Sequence, residues 1–313
     1  MLISESDCRL QMGGATRMKP PKPQLQNTMT WPQRFLIVAV LAWFGLLILG
    51  PAVALARRAF APGVGAVLKA LADPDAIEAL LLTAKITVVV TISNTIFGIA
   101  MAIVLVRQRF WGRRIVDGLL DLPFAVSPVI AGLMLIILYG PKSTIGSRLE
   151  SFGFPIVYHL PGMILAGMFV TLPLVVRSVA PILEEIGSDQ EDVASTLGAD
   201  WWTTFHRITL PTIRWGVAYG AALVVARSLG EFGALLVVSG NIIGRTQTAT
   251  LYVHDQIESF EPHGAYVMSI VLATVSFCIL VGLETIQNSV RRREYAAEAK
   301  EDGQGPIRQM RRH

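Results

Sequence analysis

Charge is scarce in this chain, and so are the residues that staple folds or hold metals. Only 16% of residues are charged, against roughly a quarter in an ordinary soluble domain. There are two cysteines, Cys8 and Cys278, too far apart in sequence to suggest a disulfide framework. The five histidines, His159, His206, His254, His263 and His313, are scattered, and no H-E-x-x-H occurs. No metal site and no cofactor follow from such a pattern. The phosphate-binding G-x-x-x-x-G-K-[S/T] is also missing, since Gly140-Pro141-Lys142-Ser143 lacks the glycine before its lysine. No catalytic constellation is left. What the chain does have is apolar surface: 52% hydrophobic residues and a mean hydropathy of +0.52.

That surface is gathered into six runs: Phe35 to Ala56, Ala79 to Val106, Phe124 to Tyr139, Leu160 to Val179, Thr212 to Ser239 and Ala265 to Ile286. Most approach the ~20 residues a helix needs to cross a bilayer core. None alternates as a barrel strand would, and an open sheet would leave edge groups unpaired in lipid. The expected fold is an all-α integral membrane protein with six transmembrane helices over residues 35–290. The third run is the shortest, and Pro128 lies inside it; Pro128 and Pro173 are expected to kink their helices. On the second run Thr83, Thr87, Thr91, Asn94, Thr95, Gly98 and Ala102 recur every three or four residues, a stripe for helix contact or for a pathway. Lys85 is expected to snorkel to the headgroups.

Lysine and arginine set the expected orientation. Arg9, Arg17, Lys19, Lys22 and Arg34 precede the first run, and Arg107, Arg109, Arg113, Arg114, Arg177 and Arg207 fall on the same side of the bilayer. A basic tail at 291–313 joins them, so both termini are expected in the cytoplasm. Arg57 and Arg58 run locally against the pattern. Residues 1–34, with Pro20, Pro21 and Pro23, read as a disordered cytoplasmic tail. The arginine runs Arg291–Arg293 and Arg311–Arg312 read as anchors to the inner leaflet of the lipid bilayer, not as nucleic-acid patches.

Between the fourth and fifth runs lies a polar stretch, Ser188 to Pro211. Ser188 and Glu191 have the S-x-x-E spacing of a capping box, which predicts a helix from Asp189 bearing Val193, Ala194 and Leu197 on one side. Gly198 stands where a helix end needs left-handed backbone, and Asp200 is placed to cap a second short helix through Phe205. Pro211 then suits the first turn of the next span. Asp192, Val193, Ala194 and Gly198, followed by Ile208, Leu210 and Pro211, resemble the E-A-A-x-x-x-G…I-x-L-P loop of ABC-importer permeases. Asp192 replaces the glutamate and Val193 the first alanine. Trp201, Trp202 and Phe205 read as anchors for a docked partner or as an interfacial aromatic belt.

Within the fifth run Arg227 and Glu231 fall on one helical face, and Gly230 and Gly233 beside them allow close helix contact or local unwinding. Charges at that depth pair or face water, so the two read either as an anion-pathway element or as an ion pair that ties helices together. Arg227-Ser228-Leu229-Gly230-Glu231-Phe232-Gly233-Ala234 is similar to the R-x-L/M-G-E-F-G-A segment of the sulfate/thiosulfate and molybdate group of ABC permeases. Asp121 to Pro128 also fits the group's D-L-P-x-A-x-x-P.

The resemblance implies one permease bundle working with a homologous permease subunit, two ATP-binding subunits and an extracytoplasmic anion-binding protein. It places the chain in the inner membrane of a prokaryote, with ATP hydrolysed on other polypeptides. It assigns ATPase coupling to Asp189, Glu191, Asp192, Val193, Ala194, Gly198, Trp201, Trp202, Phe205, Ile208, Leu210 and Pro211. Arg227, Gly230, Glu231, Asn94 and Ser127 are the pathway candidates. Sulfate or thiosulfate is the expected cargo, with molybdate or tungstate as the alternative. A non-transporting scaffold or receptor, and an exporter or channel, remain open on the residues alone.

Overall fold

A computed structural model describes residues 31–282 together with Glu284 and Thr285. The tails at 1–30 and 286–313, with Cys8, His313 and the end expected for the last span, lie outside the described residues. The chain divides into a unit ending at Ala52 and one beginning at Val53. The first unit is described from Trp31 as helix α1, which runs on through Pro51 to Phe60. The helix thus opens four residues before the expected Phe35, taking Arg34 out of the N-terminal tail. Leu36, Trp43, Phe44 and Leu47 are all exposed, so the helix is apolar all round, as a lipid-covered helix must be.

The second unit is built on α3 (Pro74–Arg107), which follows the short α2 (Val64–Leu71). Asp73 caps α3 by accepting from the Asp75 N–H at 3.1 Å, and Pro74 takes the first turn, where its missing donor is harmless. Then come α4 (Arg113–Leu120), α5 (Leu122–Ala125), α6 (Pro128–Tyr139), α7 (Thr144–Ser151) and α8 (Leu160–Ile186). The chain continues through α9 (Asp189–Thr196), α10 (Trp201–Thr204), a π turn (Phe205–Thr209), α11 (Leu210–Leu229), α12 (Gly233–Ser239), α13 (Ala249–Glu258) and α14 (Pro262–Gly282). No strand occurs among the described residues. Among the described residues five helices are long and apolar enough to cross a membrane, α1, α3, α8, the continuous Trp201–Leu229 run and α14, or six if the bent pair of α4–α5 with α6 is one span.

The core lies where α3, α8 and α11 meet, around Val90, Met163, Val175, Val176, Val179, Ile213 and Val224, all fully buried. Small residues let the backbones approach. A Cβ on Gly98 of α3 would stand 2.6 Å from the Cβ of Val175 on α8, so nothing larger than glycine fits. Ala234, Leu235 and Val238 extend this core from α12, while α13 and α14 pack on the start of α3 through Tyr252, Met268 and Ala76.

Two of the expected runs are broken. The third run is bent: α4–α5 and α6 meet at 114°, with the break at Val126–Ser127, so that this pair is either a sixth, broken span or a re-entrant loop. Pro128 begins α6 directly after this break, with Ser127 before it in the extended backbone that a following proline favours, so the expected kink is present as a break between two helices. Arg177 of α8 ties down the arm before this corner, reaching Asp117 at 2.9 Å and Asp121 at 2.8 Å. The fifth run also breaks, after Leu229, into α11 and the short α12. Pro211 stands in the first turn of α11, as expected, and the π turn before it, in which the Leu210 N–H bonds the Phe205 carbonyl, makes that helix continuous with α10. The wider turn gives the proline ring room it would lack against an ordinary α turn. Helix α8 carries both Pro173 and Pro181 without losing its helical assignment.

Candidate functional site

The loop from Ser188 to Pro211 folds as two helices around a bend, but the first does not begin with a capping box. Ser188 makes no side-chain cap and instead donates to the Asp192 carboxylate at 3.0 Å. Glu191 turns away to Arg107, at the end of α3. The guanidinium Nε donates to Glu191 Oε2 at 2.9 Å and Nη2 to Oε1 at 3.3 Å, while Thr209 Oγ1 adds a bond to Oε1 at 2.8 Å. A two-pronged charged hydrogen bond outweighs a neutral cap, and the local pattern loses. Of the three residues expected on one face of α9, only Ala194 is buried; Val193 and Leu197 stay exposed.

The bend behaves as its glycine requires. Gly198 has φ +84°, its N–H bonds the Ser195 carbonyl at 3.0 Å, and the Ala199 N–H bonds Ala194 O at 3.0 Å. This is a complete Schellman closure. Asp200 caps α10 from the Thr203 N–H at 3.3 Å, and hydrogen bonding to Thr203 holds its carboxyl below the ordinary range. The cap concentrates the aromatics. Trp201 and Phe205 stack with centroids 5.5 Å apart and planes 6° from parallel, and His206 meets Trp202 edge-on at 4.3 Å. Trp201 is 68% exposed and Trp202 59%. Asp189, Asp192 and Pro211 are also exposed, and Ile208 and Leu210 are half-buried. The loop therefore offers acidic groups beside an uncovered aromatic cluster, the composition of a protein-docking surface.

Arg227 and Glu231 do pair, across the break after α11. Arg227 Nη1 lies 2.8 Å from Glu231 Oε2; the arginine side chain is 41% exposed and the glutamate 2%. Glu231 Oε1 accepts the Ala234 N–H at 3.1 Å, closing the first turn of α12. Its own carbonyl receives Thr250 Oγ1 at 2.8 Å, and Gly230 supplies the turn between the two helices. The carboxylate is thus a buried anchor with two tasks, pairing Arg227 and closing α12, and Arg227 is the charge it presents outward. Asn94 is fully buried between α3 and α8, where its Nδ2 donates to Thr171 Oγ1 at 2.7 Å and to Met168 O at 3.1 Å. Both bonds tie α3 to α8. Ser127 is exposed at the start of α6.

Sequence reasoning missed Arg107, Thr209 and Thr171 as partners. A basic residue closing a long apolar run was the only local sign of Arg107, and it reads equally as a topology signal.

A multi-pass, all-α membrane protein with an uncovered helix–bend–helix beside a broken, charged helix is the class these features define. Residues 94–293 match the family described as binding-protein-dependent transport system inner membrane component. The chain is 42% identical over 259 residues to the sulfate transport system permease protein CysW of Synechocystis sp., covering 82% of this chain and 94% of that protein. The Escherichia coli protein of the same name is 36% identical over 271 residues, covering 87% and 93%. In fold the chain resembles a bacterial alginate ABC transporter (TM-score 0.69, 17% identity, 83% of this chain and 95% of that one). The chain belongs to the family of binding-protein-dependent transport inner membrane components, on its CysW-like branch.

Proposed function

We propose that this chain is a membrane-spanning subunit of an ATP-driven importer that carries sulfate or thiosulfate inward by alternating access. The observation that carries the reading is identity of 36–44% along most of the chain with proteins named sulfate transport permeases. A CysT permease of Escherichia coli is 36% identical over 223 residues, which supports pairing with a second, homologous permease. The exposed loop from Asp189 to Pro211 is the docking element for ATP-binding subunits and faces the cytoplasm, as do both termini. The sequence has no phosphate-binding loop of its own, which agrees with hydrolysis on other chains. An extracytoplasmic binding protein delivers the anion on the opposite face.

Arg227 is the pathway candidate that the geometry favours. Its charge is held by a buried carboxylate yet partly open, so it can attract a dianion without leaving its partner. An arginine so held adds little desolvation cost on each transport cycle.

Uptake of labelled sulfate into a strain lacking its own permease tests the reading. The chain, expressed with its companion subunits, is expected to restore uptake that excess thiosulfate blocks and molybdate does not. Uptake of labelled molybdate without uptake of sulfate would replace the cargo. Failure of any ATPase to co-purify would overturn the importer.

A further inference from the structure

Helix α9 has a thin hydrophobic hold on the bundle. Ala194 is its one buried residue, at the 9% level, while Asp192, Val193 and Leu197 lie open. A movement received by α9 needs another route into the spanning helices, and one polar node supplies it. The Arg107 guanidinium uses four of its five N–H groups. Two bond the Glu191 carboxylate, Nη1 bonds Leu183 O at 3.0 Å and Nη2 bonds Gly187 O at 2.7 Å. The two carbonyls lie at the C-terminal end of α8, where acceptors lack helical partners and the helix dipole favours a cation. Glu191 lies in the first turn of α9, where the dipole favours an anion. Thr209, buried and closing the π turn into α11, completes the node through its hydroxyl.

One guanidinium therefore holds the end of α3 to the end of α8 and the start of α9, and one carboxylate ties both to α11. The charged side chains are only 18% and 22% exposed, so water competes weakly for the fork.

We propose that Arg107, Glu191 and Thr209 form a strut that makes α9 and the ends of α3, α8 and α11 move as one body. These are positioning residues: they convey displacement of the loop to the helices that enclose the pathway. The inference rests on the loop being the ATPase-coupling element. It predicts a defect in the yield of transport per ATP, beyond any loss of assembled protein.

The test uses the complete transporter in proteoliposomes, with sulfate uptake and ATP hydrolysis measured on the same preparation. Arg107→Gln and Glu191→Gln are each expected to lower sulfate moved per ATP by about tenfold, within the usual range of coupling between sites. The double substitution should be no worse than the weaker single, because both remove the same connection. Thr209→Val, which deletes only a hydroxyl, should give a smaller fall in the same ratio. If the arginine variant fails to assemble, Glu191→Gln and Thr209→Val decide the matter. A wild-type yield per ATP in these variants overturns the strut, and so does a double mutant whose loss is the product of the singles. Gly198→Val separates the two ideas. If it too leaves the yield unchanged, the loop does not couple; if it lowers the yield while the fork variants do not, only the strut fails.

Discussion

Replacing Gly198 tests the bend without touching the bundle. Its φ of +84° lies in left-handed backbone, and a Cβ built there meets nothing within 4 Å. The whole cost is therefore conformational, about 1–2 kcal/mol for an L-residue in that region. A β-branched side chain adds to it, while asparagine, which tolerates left-handed backbone, costs less. Such an increment lowers the population of the closed bend by roughly 5–30-fold relative to its alternatives. The two Schellman bonds from Gly198 and Ala199 open with it, and Trp201 and Trp202 lose their fixed position relative to α9. The spanning helices keep every buried contact, so protein in the membrane should stay near normal. Uptake and transport-stimulated ATPase activity should fall in the order Gly198→Asn, Gly198→Ala, Gly198→Val, mildest first. Immunoblots of membranes alongside labelled-sulfate uptake measure both quantities. Wild-type uptake in Gly198→Val at normal protein level would refute the reasoning, as would equal losses for asparagine and valine.

Gly98→Val should do the reverse: its new Cβ meets the Val175 Cβ at 2.6 Å, and overpacking by about 1–3 kcal/mol or more should lower the amount of folded protein in membranes while leaving uptake per molecule less affected. Arg227→Gln leaves the Glu231 carboxylate buried and unpaired, at a cost at or below ~3–5 kcal/mol because the arginine is itself 41% exposed. Arg227→Gln with Glu231→Gln should regain thermal stability but remain slow in uptake; full uptake in the double mutant would remove Arg227 from the pathway. In a background without Cys8 and Cys278, cysteines at the exposed Lys142 and Arg245 should react with an impermeant thiol reagent added to intact cells, and cysteines at Arg109 and Ser195 should not. Labelling of Ser195→Cys would invert the orientation and remove the loop from contact with a cytoplasmic ATPase.

The parts of this protein legible in its sequence are those decided by contacts a few residues apart or by the solvent. Apolar runs of about 20 residues mark spans because lipid leaves the backbone no other way to satisfy its hydrogen bonds. Gly198 and Asp200 could be assigned because a left-handed turn and a helix cap are chosen by the residue itself, and both form as expected. Glu191 shows where that reasoning ends. Its spacing from Ser188 satisfies the capping rule, yet its partner is Arg107, 84 residues away, whose charged fork is stronger than the local bond. In the fifth run Gly230 and Gly233 permit either close contact or unwinding, and the break is seen only where the Glu231 carboxylate closes α12. Likewise α4, which leads into the 114° corner before α6, is tied through Asp117 and Asp121 to Arg177 of α8, which no window around Pro128 contains. Periodicity and propensity determined which segments are helices and which enter the bilayer. Where those helices break, and which distant charges meet at the breaks, was decided by packing, because a buried charge takes the partner the tertiary fold brings to it.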